Sequence, residues 1–227
     1  MNQRSTSKRR FCILSGLSGS AGVVLLMVSF AIANGPPPDA TRAELIKFGQ
    51  QHYAAILWGA WLQAVGPVFI VLFAFALVQL AGATLRLAGW MTLFGASVLM
   101  TVSLIEITYY ISALFPVPEV MTAISLKVIY AAHHLYFIVA APALFLPLGI
   151  VLVGSQILPR LFGYLALVLA AAFAVMGVTF LLTLTLPAAV TASAGAQALW
   201  WLAAAVTLIM RGGKLPDSGW TSTSAPD

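Results

Sequence analysis

The sequence predicts an all-α, polytopic bundle of six transmembrane helices with both termini in the cytoplasm, and three observations predict it. Of the 227 residues, 61% are hydrophobic and 7% are charged, against about 25% charged in a soluble domain. The apolar residues fall in six stretches, near 11–33, 53–81, 87–115, 127–153, 158–184 and 190–210. Each reaches the roughly 20 residues that a helix needs to cross a hydrocarbon layer of about 30 Å. The runs are unbroken rather than alternating, which excludes the strands of a membrane barrel. Most of the basic residues lie in every second gap. Arg4, Lys8, Arg9, Arg10, Arg86, Arg160, Arg211 and Lys214 share one side, whereas Arg42, Lys47 and Lys127 share the other with Asp39, Glu44 and Glu119. Lys and Arg in short loops stay cytoplasmic during insertion, so the first side is the inner one. A net charge of +5 then needs no nucleic-acid partner, because the inner-face bias and anionic headgroups explain it. Membrane lipid is the expected partner, and a multi-pass protein of the cell membrane is the expected setting.

The basic head, residues 1–10, leads into the first span. Basic residues, an apolar core and the run Ala31-Ile32-Ala33 also describe a secretory signal, but a signal core is usually about 7–15 residues, shorter than this span. An uncleaved anchor is the expectation, and cleavage would leave five spans. Ser15, Gly19 and Gly22, or Ser18 and Gly22, stand at the spacing that lets a neighbouring backbone approach closely. The chain has one cysteine, Cys12, so no intrachain disulfide can form; it reads as a small apolar filler at the inner edge. After Ala33, Asn34-Gly35-Pro36-Pro37-Pro38-Asp39 cannot continue a helix. From Ala40 to Gln51, Leu45, Ile46 and Phe48 recur at amphipathic spacing behind Thr41 and Glu44, predicting a helix on the outer surface.

Pro67 in the second span and Pro142 with Pro147 in the fourth should bend their helices, since each removes a backbone donor and crowds the preceding turn. Trp58, Trp61, Trp90, Trp200 and Trp201 read as residues of the membrane interfaces. A polar tail, 211–227, closes the chain. No soluble domain can be built from the segments outside the spans.

Ionisable groups inside the bilayer carry most of the functional information, because each costs about 2.5–3.5 kcal/mol on insertion scales. Glu106 in the third span and His133 and His134 in the fourth lie roughly 10–14 Å below the outer surface, at about 1.5 Å of rise per residue. The two helices are joined by a short outer loop and are expected to be antiparallel neighbours. Ser103, Glu106, Tyr109 and Tyr110 form one polar stripe, as do Lys127, Tyr130 and His134, while His133 points elsewhere on the helix. His52 at the mouth of the second span, with Gly59, Gln63 and Gly66 near one face, completes an expected outer-half cluster of carboxylate, imidazole and phenol groups.

Such a cluster can brace three helices, carry a solute or proton, or hold a metal or haem. Adjacent histidines on one helix cannot ligate a single iron from opposite sides, and His52 lies about 10 Å from their depth. Zinc would need three or four ligands, for which His52, Glu106 and one histidine are a poor set. No cofactor and no metal site is therefore expected. A histidine near its usual pKa of about 6.5 could instead gate with pH. The chain lacks a phosphate-cradling Gly-rich loop, a His-Glu-x-x-His motif and a nucleophile elbow, and no Asp lies inside a span. The sequence assigns no enzymatic role.

The late connector Ser155-Gln156-Ile157-Leu158-Pro159-Arg160-Leu161-Phe162-Gly163, with the basic head, first span and proline-containing outer loop, resembles a family of uncharacterised bacterial inner-membrane proteins of about six helices. In that family an Ile/Leu-Pro-Arg-x-x-Gly connector opens a late helix. The resemblance implies a fold and a membrane compartment, and no activity. Physically, Pro159 starts a helix well and Arg160 snorkels to the headgroups. The expected role is structural or accessory, with a protein partner or a second copy open as binding partners. The alternative is a small-solute or proton-coupled transporter using Glu106 and His134, followed by a haem or metal protein.

Overall fold

A computed structural model describes residues 3–32, 41–114, 124–125, 128–129, 131–132, 134–182 and 187–212. Among them there is no strand. The helices are α1 (Gln3–Ile32), α2 (Arg42–Gln51), α3 (Tyr53–Leu80), α4 (Leu87–Leu114), a π-helical segment (Tyr136–Ala140) running into α5 (Ala141–Val153), α6 (Arg160–Leu182) and α7 (Pro187–Arg211). Six stretches are long and apolar enough to cross a membrane: Thr6–Ile32, Tyr53–Leu80, Leu87–Ser112, Tyr136–Val153, Arg160–Thr179 and Ala189–Arg211. The helix containing the first span begins at Gln3, so the described part of the basic head is helical and continuous with α1.

The spans form a closed antiparallel ring. Each packs on its chain neighbour, and α7 packs on α1 more extensively than on α6. Paired positions show the register. Ser18 Oγ donates to the Phe69 carbonyl at 3.0 Å and Ser29 Oγ to the Gly59 carbonyl at 2.7 Å, so α1 numbers rise as α3 numbers fall. Gly212 meets Cys12 and Gly16 meets Ile209, which brings the start of α1 and the end of α7, the described chain ends, to one end of the bundle. Cys12 is wholly buried there.

In lipid, apolar burial gives helices little reason to associate, and close van der Waals packing through small residues takes over. A Cβ built on Gly22 would lie 2.8 Å from the Gly66 carbonyl oxygen, and one built on Gly163 would lie 2.9 Å from that of Gly149. Backbones therefore touch at the α1–α3 and α5–α6 seams. The small-residue run expected to serve packing does so within the chain. Ser15 instead donates to its own helix, at Phe11 O, 2.7 Å.

The centre of the ring is filled by aromatic rings. Phe145 stands 5.4 Å from Trp201, 5.3 Å from Trp200 and 6.1 Å from Phe173, and Phe73 stands 5.9 Å from Trp201. Each well-oriented pair adds about 0.5–1.5 kcal/mol beyond its buried area. Trp200 and Trp201 correct the interfacial expectation: they are 4% and 1% exposed, about 15 Å into α7 from its end at the termini. Trp58, Trp61 and Trp90 are exposed. The Trp200 indole N–H donates to the Phe162 carbonyl at 3.0 Å. That of Trp201 is buried without a hydrogen-bond partner among the described residues, an arrangement costing about 1–3 kcal/mol.

Pro67 and Pro147 lie inside α3 and α5. Pro142 acts differently, since it follows the π-helical segment directly. Proline has no N–H and its ring crowds the carbonyl four residues back, here that of Ile138. The chain absorbs this by widening one turn, so that the Ala141 N–H reaches the Tyr136 carbonyl five residues back. Gly177 of α6 makes room, because a Cβ there would lie 2.8 Å from Ile138 Cα.

Candidate functional site

Of the buried polar side chains, Ser15 and Thr92 lie in the half of the bundle that holds the start of α1 and the end of α7, and Ser29 and Glu106 lie in the other half. Glu106, on α4, is 7% exposed. It stands one turn before Tyr110 on α4, in the same half of the bundle as Tyr136 of the π-helical segment. Tyr136 Oη in turn donates to Gln197 Oε1 of α7. Phenol and amide thus form a row from the π-helical segment to α7, with Glu106 on α4 in the same half of the bundle. Rise per residue places the three about 21–28 Å from the end carrying the termini. Tyr136 also stands edge-on to Phe137 and Phe173, with centroids 5.4 and 5.8 Å away, so the row borders the aromatic filling.

Of the residues expected to form the cluster, Glu106 and Tyr110 stand together, and Tyr109 is half-buried on the same helix. His134 is half-buried and, like Glu106, engaged in a polar or ring interaction. Gln63 is half-buried on α3. His52 lies at the junction of α2 and α3, exposed, with Nδ1 3.1 Å from the Phe48 carbonyl and its ring stacked on Phe48 at 4.3 Å. Tyr130 and His133 lie outside the described residues, as does Lys127.

Sequence reasoning missed Tyr136 and Gln197. Each is a polar side chain within an apolar span, which is itself the signal for a group that needs a partner. Their pairing spans 61 positions, and nothing local announces it.

Four hydroxyls of α4 turn back to their own helix. Thr92, Ser97, Thr101 and Thr108 each donate to the carbonyl four residues back, at 2.7–3.0 Å, the usual way a hydroxyl is satisfied inside a lipid-embedded helix. Among the described residues, no three His, Cys, Asp or Glu side chains stand together as metal ligands would. No protein family, curated protein or solved structure matches the chain.

Proposed function

We propose that this chain is a structural or accessory protein of the cell membrane, with both termini cytoplasmic, in which the Tyr136–Gln197 row and the nearby buried Glu106 brace helices instead of carrying a solute. The observation that supports this most is the aromatic filling: Phe73, Phe145, Phe173, Trp200 and Trp201 occupy the centre of the ring. A solute moving along the axis would have to displace packed rings. The Tyr136–Gln197 bond also joins the fourth span to the sixth, which are not chain neighbours. The basic residues near the end holding both termini, among them Arg9, Arg10, Arg86, Arg160 and Arg211, support a cytoplasmic placement of that end.

A transport reading is favoured by one observation, the burial of the Glu106 carboxyl, since an ionisable group inside a membrane marks a proton or ion path by default. Reconstitution separates the two. With Glu106→Gln and Tyr136→Phe, the brace predicts lower thermal unfolding temperatures in detergent and no proton or ion flux in liposomes for variant or parent. Flux in the parent that either substitution abolishes would overturn the brace in favour of a permease.

A further inference from the structure

We propose that α2 is an interfacial anchor: it lies in the headgroup layer on the side of the membrane away from the chain ends, and the surface it docks to is the phospholipid leaflet itself. Three features of the chain carry this. First, α2 has two unlike faces. Helical spacing puts positions 45, 48, 49 and 52 (Leu, Phe, Gly and His) along one face, and Glu44, Lys47 and Gln51 along an adjoining one. Phe48 is half-buried and stacked on His52, whereas Glu44, Lys47 and Gln51 are exposed. Second, among the described residues the bundle does not cover α2, whose contacts with α3 are slight. An amphipathic helix left uncovered by its own protein needs another apolar medium.

Third, that medium is fixed in place by the chain. One residue, His52, separates α2 from the span α3. Its φ of −110° and ψ of 17° depart from helical values and bend the path between the two helices. The His52 N–H still donates to the Phe48 carbonyl, and the His52 carbonyl still accepts from Ile56 N–H, both at 2.9 Å, so the junction is hydrogen-bonded on both sides. The first turns of α3 expose Tyr53, Leu57, Trp58 and Trp61, a girdle of the kind that sits at headgroup level. A helix tethered by one residue to that girdle cannot leave the leaflet surface. Arg42 and Lys47 against Glu44 leave α2 about one positive charge, so apolar immersion rather than headgroup charge dominates the docking.

The anchor rests on the membrane reading of the fold and is independent of the role given to Glu106. The test is spin labelling of the full chain in bilayer nanodiscs of zwitterionic phospholipid. Cys12, wholly buried, stays unlabelled in the folded protein, so single cysteines are placed in the native background as Phe48→Cys, Lys47→Cys and Gln51→Cys. Phe94→Cys and Val168→Cys, both exposed on spans, are the controls. The readout is collision with oxygen, which concentrates in lipid, against a water-soluble nickel chelate. The expected result is an oxygen-to-nickel ratio severalfold higher at 48 than at 47 and 51, and unchanged by salt. Lipid-like values at 94 and 168 with water-like values at all three α2 positions would overturn the anchor alone, leaving α2 as a docking helix for a soluble protein. Water-like values at 94 and 168 would overturn the membrane reading beneath it.

Discussion

Gly95 and Gly195 are both helical glycines within spans, yet an added methyl group meets opposite surroundings. At Gly95 it would lie 2.2 Å from the Ala143 carbonyl oxygen, a backbone atom that cannot turn aside; at Gly195 nothing lies within 4 Å. Gly95→Ala therefore forces α4 and α5 apart and is expected to cost about 1–3 kcal/mol or more. Gly195→Ala gains up to about 1 kcal/mol from helix propensity alone. Thermal unfolding in detergent should move in opposite directions for the two, and equal shifts would argue against the α4–α5 contact. Nothing in the sequence distinguishes these glycines, because the difference lies in a partner helix some fifty residues away for one and in open space for the other. Glu106 was legible for the converse reason. A carboxyl in an apolar run is conspicuous without any partner, whereas Tyr136 and Gln197 acquire meaning only as a pair.

At the scale of single elements, α2 shows how a cap writes itself into sequence. Thr41 offers both its backbone N–H and its hydroxyl to Glu44 Oε2, each at 2.7 Å, the carboxylate half of a capping box. The Thr41 hydroxyl bond first, and its backbone bond second, hold the Glu44 carboxyl below the usual carboxylate range. A carboxyl whose folded pKa is depressed contributes its stabilisation above its unfolded pKa and loses it as pH falls through the folded value. Acidification is therefore expected to loosen the start of α2 while the spans hold, and Glu44→Gln to flatten that response. Spin-label mobility at position 48 followed against pH checks it; a profile identical in parent and Glu44→Gln would refute the role of the cap. The span helices were equally legible, since hydropathy alone marks a lipid-embedded helix. The π-helical segment was not. Pro142 signals a disturbance, but whether a proline bends, breaks or widens a helix depends on what packs beside it, and here Gly177 packs closely against Ile138.

On the scale of the whole molecule, the spans arrange themselves as a ring closed by α1 against α3 and α7. Closure explains why α1, only mildly apolar in its first half, belongs among the spans. Its Ser18 and Ser29 reach α3 carbonyls and its Gly16 admits Ile209 of α7. Trp200 and Trp201 were misread for a related reason. Composition places tryptophan at interfaces on average, and only the closed ring gives two adjacent indoles a dry interior to fill. The widened turn at 136–140 bears on that interior in one more way. Such a turn is an ordinary helix carrying one surplus residue, so excising Val139 should let the helix rewind. Everything before the excision would then swing about 100° around the axis. The phenol of Tyr136 would face away from Gln197, uncoupling α7 without altering either side chain. Crosslinking of paired cysteines at 136 and 197 should fall in the shortened chain and persist after Val139→Ala, as if a single notch of the helical screw held the lock closed.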